Sequence, residues 1–157
     1  MRSPVDMRPM RMNGPAEAQR KLVVCPDKFK GSLGALFAAE AMASGARRSL
    51  PGWDVREFPV SDGGEGFAQL LARASGTVVL DCPVTGPFGG PVVGQLTILP
   101  GRVGVVALSS ASGTAAIDGW RPDPMRATTR GTGELVSRAL DRGCRKILLG
   151  IGGSATN

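Results

Sequence analysis

The sequence contains no histidine and no tyrosine. Without histidine there is no imidazole base, nucleophile or metal ligand in this chain, so Ser-His-Asp, Cys-His and HExxH chemistry are excluded. Catalysis here has to draw on Asp, Glu, Lys, Arg, Ser, Thr, Cys, Asn, backbone N–H groups or a bound cation. Aromatic residues make up only 4%, too few for the stacking platforms that a single-strand nucleic-acid binder needs. No nucleic-acid partner is expected. Cysteine is also sparse. Cys25, Cys82 and Cys144 are far apart and odd in number, which suits buried free thiols in a reducing compartment. The sequence has no apolar run of the length, about 18 residues, that reads as a transmembrane helix. Residues 1–20 lack the apolar core of a secretory signal. No membrane partner is expected, and the expected location is the cytoplasm.

Glycine is in excess: 23 of 157 residues, or 15%, against a usual share of about 7%. The glycines follow no strict G-x-y period, so a collagen-like chain is excluded. With 42% apolar residues the chain can build a core and is not broadly disordered. Glycine used this way points to tight turns and close backbone approaches. The net charge of +6 is uneven. Residues 1–30 carry seven basic and three acidic side chains, and the remainder twelve and ten. Residues 1–20 read as a disordered basic extension.

The folded part is expected to start at Lys21. Leu22 to Cys25 is a short apolar run and reads as a buried strand. Ser32 is a candidate N-cap for a helix to about Arg48, with Leu33, Leu36, Phe37 and Met42 on its apolar face. Val55 to Val60 suggests a second strand. Phe67 to Ala74 reads as a short helix stopped by Gly76, and Thr77 to Leu80 as a third strand. Residues 83–91 are turn-rich. Val92 to Leu99 and Val103 to Leu108 flank Pro100-Gly101-Arg102 as a β-hairpin. Residues 109–124 read as loop. Thr132 is expected to cap a helix over 133–142 that ends at Gly143, and Ile147 to Ile151 is the last strand. Alternating strands and helices predict an α/β fold with a mainly parallel sheet. The sequence then stops at a polar Gly-rich loop with no helix after it. An α/β unit cut there leaves an apolar sheet face uncovered, so the chain is expected to be truncated.

Four loops could carry chemistry. Asp27-Lys28-Phe29-Lys30-Gly31-Ser32 lies between the first strand and first helix, where doubly wound sheets bind ligands. Asp27 could hold a cation or accept a proton, and Lys30 with helix N–H groups could hold an anion. Taken alone, the segment also reads as plain turn and cap residues, Asp27 and Ser32. Ser61-Asp62-Gly63-Gly64-Glu65-Gly66 sits at the next strand end and offers two carboxylates among glycines, which let the backbone approach a metal–phosphate group. A plain Asp-Gly turn is the alternative. Thr128-Thr129-Arg130-Gly131-Thr132-Gly133-Glu134 precedes a helix and suits phosphate or carboxylate, or else simple capping. Gly152-Gly153-Ser154-Ala155-Thr156-Asn157 has the composition of a phosphate-cradling loop. Neither G-x-x-x-x-G-K-[ST] nor G-x-G-x-x-G after a strand occurs. Together the loops point to a small anionic ligand and to phosphoryl transfer.

These motifs, with Val84-Thr85-Gly86-Pro87 between them, resemble the type 1 glycerate kinase family in order and approximate spacing from Lys21 to Asn157. Lys28, often serine in that family, and Ser61, often alanine, depart from it. The resemblance implies ATP-dependent phosphorylation of a D-glycerate hydroxyl with Mg²⁺. It also implies two α/β domains, one inserted in the other: a flavodoxin-like first domain over 21–80 and the start of the inserted one over 81–157. Family chains are longer, so this chain alone is expected to be inactive. Asp62 or Asp27 would serve as base or metal ligand, with Asp62 the candidate for the metal, and Lys30 would stabilise the transferring phosphoryl group. Ser32, Gly63, Gly64, Glu65, Thr132, Gly133, Gly152, Gly153, Ser154 and Asn157 would contact phosphate or substrate. The competing reading is a catalytically inactive fragment or remnant binding module.

Overall fold

The computed structural model describes residues 20–114 and 123–156. The N-terminal extension, part of the 109–124 segment and Asn157 fall outside the described residues. The elements run β1 (Lys21–Val24), α1 (Ala35–Ser49), β2 (Asp54–Glu57), α2 (Phe67–Ser75), β3 (Val79–Thr85), β4 (Pro91–Leu99), β5 (Val103–Ala107), α3 (Leu108–Ser112), α4 (Arg130–Asp141) and β6 (Lys146–Gly150). The α/β expectation holds, with two sheets among the described residues. β1 and β2 pair in parallel. β3, β4 and β5 form an antiparallel meander, and β6 joins β5 in parallel. No helix among the described residues is long and apolar enough to cross a membrane.

The larger core lies between the four-stranded sheet and α4. Cys82, Val84, Leu96, Val106, Ala111, Leu135, Ala139 and Cys144 form one buried cluster. Alternation on β3 sends Cys82 and Val84 inward and Asp81 and Pro83 outward, the period-2 pattern of a strand with one covered face. Gly94 lets α4 sit close: a Cβ there would lie 2.9 Å from both Leu135 Cδ1 and Val84 Cγ2. α2 packs on the same sheet, mainly on β4. The smaller core holds Val24, Ala39 and Ala43 between the two-stranded sheet and α1, with Leu22 and Val55 at its margin.

Several expectations need correction. Ser32 does not cap α1. The N–H groups of Ser32 and Leu33 bond the Phe29 carbonyl in a tight turn, and the helix starts three residues on, after Gly34. The face that α1 buries is its alanines, Ala35, Ala38, Ala39 and Ala43, while Phe37 is 67% exposed. Small residues let the helix approach a narrow sheet, and that approach sets the face, not side-chain size. Residues 83–85 are strand, and the turn is confined to 86–90. Ser109–Ser112 are helical where loop was expected, and Leu108, expected to end a strand, starts that helix. Thr132 lies inside α4, whose N-cap is Thr129. Cys25 is exposed, whereas Cys82 and Cys144 are buried, and all three are free thiols. The α2 stop at Gly76, the hairpin at 100–102 and the α4 stop at Gly143 agree with the sequence reading.

β6 is the outer strand of its sheet, and Leu148 and Leu149 on it are each 42% exposed. Leu135, by contrast, is fully buried. Leu135→Ala should therefore cost about 2–5 kcal/mol by loss of contacts and a residual cavity. Phe37→Ala should cost less than about 0.5 kcal/mol. Urea unfolding of the two variants checks the contrast, and equal losses would contradict this assignment of the core.

Candidate functional site

The parallel pairing of β1 and β2 continues beyond both strands as backbone hydrogen bonds. Phe58 N–H donates to Val24 O at 2.8 Å and Val60 N–H to Pro26 O at 3.0 Å. This carries residues 26–28 alongside residues 60–62. Asp27 then staples the two segments. Its Oδ1 accepts the Lys28 N–H at 2.6 Å, and its Oδ2 accepts the Asp62 N–H at 3.2 Å. Lys28 Nζ reaches Asp62 Oδ1 at 2.7 Å. The same oxygen accepts the Gly64 N–H at 2.8 Å.

A third segment closes on this pair. The loop after β6 packs backbone to backbone against residues 62–64. A Cβ on Gly152 would lie 2.7 Å from Gly64 N and 3.0 Å from Asp62 O, and one on Gly63 would lie 3.1 Å from Gly150 Cα. The first contact is shorter than real Cβ atoms make and the other two are tighter than most, so glycine at these positions is what lets the loops meet. The loop continues to the end of α3, which in turn meets the start of α4. Gly153 O accepts the Thr114 N–H at 3.1 Å, and Ala155 N–H donates to Ser112 O at 3.0 Å. The Ser112 and Thr132 hydroxyls are 2.9 Å apart and buried. Four segments far apart in sequence thus form one connected surface.

Each charge favours the other. The Asp62 carboxyl is held below its ordinary range, chiefly by the hydrogen bond from Lys28 and then by the Gly64 N–H. Lys28 is raised, chiefly by the Asp62 carboxylate, against an opposing effect of burial. Both therefore stay charged at neutral pH. A concavity of about 300 Å³ opens beside the pair, lined by Lys28, Phe29, Ser32, Leu33, Glu65 and Gly66 among others. It faces the start of both α1 and α2, where backbone N–H groups lack helical partners.

The structure brings together Asp27, Asp62, Gly63, Gly64 and Gly152, and it places Ser32 and Glu65 at the adjoining concavity. Lys30 is exposed on the turn after β1. Gly153 connects to Thr114, and the Ser154 hydroxyl bonds within its own loop to Thr156. Thr132 presents its hydroxyl to Ser112, and the Gly133 N–H bonds the Thr129 carbonyl at 3.1 Å. Asn157 lies outside the described residues. The residue that sequence reasoning passed over is Lys28. In an extended strand Lys28 and Lys30 would share one face, so residue type and spacing do not separate them. The turn at Phe29–Leu33 separates them.

A second carboxylate is held by its neighbours at the start of α4. Glu134 accepts from Thr85 N–H and Thr85 Oγ1, each at 2.8 Å, and from Arg130 Nε at 3.0 Å. These bonds, those from Thr85 foremost, hold its carboxyl below the ordinary value of 4.5. A depressed folded-state value means the stabilisation is present above about pH 4.5 and is lost as pH falls through the folded-state value. Glu134→Gln should therefore lower Tm at pH 7, and the gap from the parent should close towards pH 3. A second prediction concerns the loop contact. Gly152→Ala should destabilise by more than about 1 kcal/mol through steric clash. Gly133→Ala, in open space on α4, should stabilise by roughly 0.5–1 kcal/mol. Thermal melts of both variants test this, and the same sign for the two would contradict it.

The chain matches the Glycerate kinase family over residues 22–157. It is 45% identical over 138 residues to "Glycerate kinase" of Bacillus subtilis (strain 168), covering 87% of this chain and 36% of that protein. It is 38% identical over 138 residues to "Glycerate 2-kinase" of Escherichia coli (strain K12), with the same coverage of both. A crystal structure from Salmonella typhimurium LT2, described as a glycerate kinase 2, superposes with a TM-score of 0.71 at 38% identity, over 88% of this chain and 37% of that one. The chain thus spans little more than a third of the length of the relatives it matches. With more than four-fifths of its residues inside the family match, the chain belongs to the glycerate kinase family.

Proposed function

We propose that these residues form part of a kinase site that transfers the γ-phosphoryl group of ATP to a hydroxyl of D-glycerate, giving phosphoglycerate and ADP. The observation that carries this reading is the meeting of the Asp27, Asp62 and Gly152 loops around one ionised carboxylate. In such a transfer the protein contributes mainly position and charge. The hydroxyl oxygen forms a bond to the γ-phosphorus as the bond to the ADP oxygen breaks, and the hydroxyl proton passes to a carboxylate.

Asp62 is better placed than Asp27 for the reacting role. Both Asp27 oxygens accept backbone N–H groups. Asp62 uses Oδ1 for Lys28 and Gly64 and leaves Oδ2 without a partner among the described residues. The described residues include no group of three potential ligands able to cage a metal ion. Mg²⁺ does not require one, since it commonly takes one or two carboxylates together with substrate phosphates. Asp62 Oδ2 would hold such an ion only in place of taking the hydroxyl proton. When bound, Mg²⁺ would supply neutralisation of charge on the phosphates. Lys30, free on its turn, would reach the transferring phosphoryl group. Ser32 and Glu65 at the concavity, with Gly63 and Gly64, would orient substrate. Gly152, Gly153 and Ser154 lie on the loop that packs against residues 62–64, and Thr132 would support that loop through Ser112.

We read residues 21–80 and 81–157 as parts of two α/β domains, and the cytoplasm as their location. The test is to express the protein from its whole reading frame and follow ADP release with D-glycerate. Asp62→Ala should lower kcat/KM by at least about 100-fold. Lys30→Ala should lower it by about tenfold or more. Absence of D-glycerate-dependent ADP release in the parent would sink the reading, as would full activity in both variants.

A further inference from the structure

We propose that Lys28 is the positioning residue for Asp62: it ties up Oδ1 together with the Gly64 N–H and so presents Oδ2 as the single open oxygen of that carboxylate. The inference rests on the glycerate kinase reading above, and it assigns a role to a residue that neither the loop motifs nor the roles above require.

Three observations support it. The first is the asymmetry of the pair. The Lys28 side chain is 15% exposed, whereas that of Asp62 is 55% exposed. A lysine largely withdrawn from water towards a more open carboxylate acts as a fixed support. The second is the sharing of one oxygen. Lys28 Nζ at 2.7 Å and Gly64 N at 2.8 Å both converge on Oδ1, which fixes the rotation of the carboxylate about its last bond. The third is the location. Gly64 also abuts Gly152, with the position of its absent Cβ 3.2 Å from Lys28 Nζ and 3.3 Å from the Gly152 carbonyl carbon. The ammonium therefore sits beside the point where the Asp62 loop meets the loop after β6. The charged groups that act on Lys28 are Asp27, Asp62 and Glu65. Asp27 is already engaged by two backbone N–H groups, which leaves Asp62 as the bonded partner.

This role differs from general charge at the site. A lysine that merely raised the local positive potential would act on substrate affinity. A lysine that fixes the Asp62 rotamer acts on the step in which Oδ2 takes part, because misplacing a reacting group by about 1 Å can cost up to about 100-fold in rate.

The test uses protein expressed from the whole reading frame, with Lys28→Met, Lys28→Arg, Asp62→Asn and the Lys28→Met/Asp62→Asn double variant. Lys28→Met should lower kcat by about tenfold or more and leave KM for ATP and D-glycerate within about twofold. Lys28→Arg should restore most of the loss, and Lys28→Met should cost nothing further when Asp62 is already Asn. Unchanged kcat, a loss carried by KM, or an undiminished loss in the Asp62→Asn background would each overturn the proposal. A parent protein without glycerate phosphorylation would defeat the functional reading but still leave the pairing open to direct observation. In that case, ¹⁵N NMR of the parent should show a slowly exchanging Lys28 ammonium signal and a Gly64 amide that both change in Asp62→Asn. Their insensitivity to Asp62→Asn would overturn the proposal by itself, whether or not the Lys28 variants fold.

Discussion

The structure turns on the contact between the Asp62–Gly64 loop and the Gly150–Gly152 loop. Each loop follows a strand of a different sheet, and their backbones approach to a distance that a single Cβ would forbid. Asp62 lies at that contact and is fixed from one side by Lys28 and from within by Gly64. The position of the carboxylate is therefore a consequence of backbone packing between sheets. The segment before β3 and the segment after β6 have to be folded together for it to exist.

This constraint explains why the glycine excess has two physical meanings. Gly63, Gly64, Gly150 and Gly152 are needed for loop-on-loop packing, and Gly94 for the approach of α4 to its sheet. Gly31, Gly34, Gly66 and Gly133 have open space where a side chain would be. The first group is structural even though it surrounds the proposed site. The second group is where a ligand could approach the backbone closely.

Much of the fold was legible because it is encoded locally. The hairpin about Pro100-Gly101-Arg102 follows from turn residues between apolar runs, and the ends of α2 and α4 follow from Gly76 and Gly143. What local reasoning missed is equally specific. Ser32 and Thr132 look like caps by residue type, yet Ser32 is used in the turn at Phe29 and Thr132 bonds Ser112 across the core. Phe37 and Met42 look like a core face, yet the alanines of α1 are what pack. In each case a partner distant in sequence decides the outcome, and a local pattern carries no information about it.

The sequence by itself determined the chemistry that is available. It removed histidine, supplied carboxylates, lysines and glycines at strand ends, and placed them in motifs that resemble one kinase family. Tertiary structure decided which of those groups meet. Lys28 and Lys30 are two residues apart and chemically alike, yet the Phe29–Leu33 turn sends one to Asp62 and the other to the surface. The reason is that an ion pair across 34 residues depends on the parallel register of β1 with β2 and on the close passage of the loop after β6. Both are set by long-range packing, which residue type and spacing do not specify.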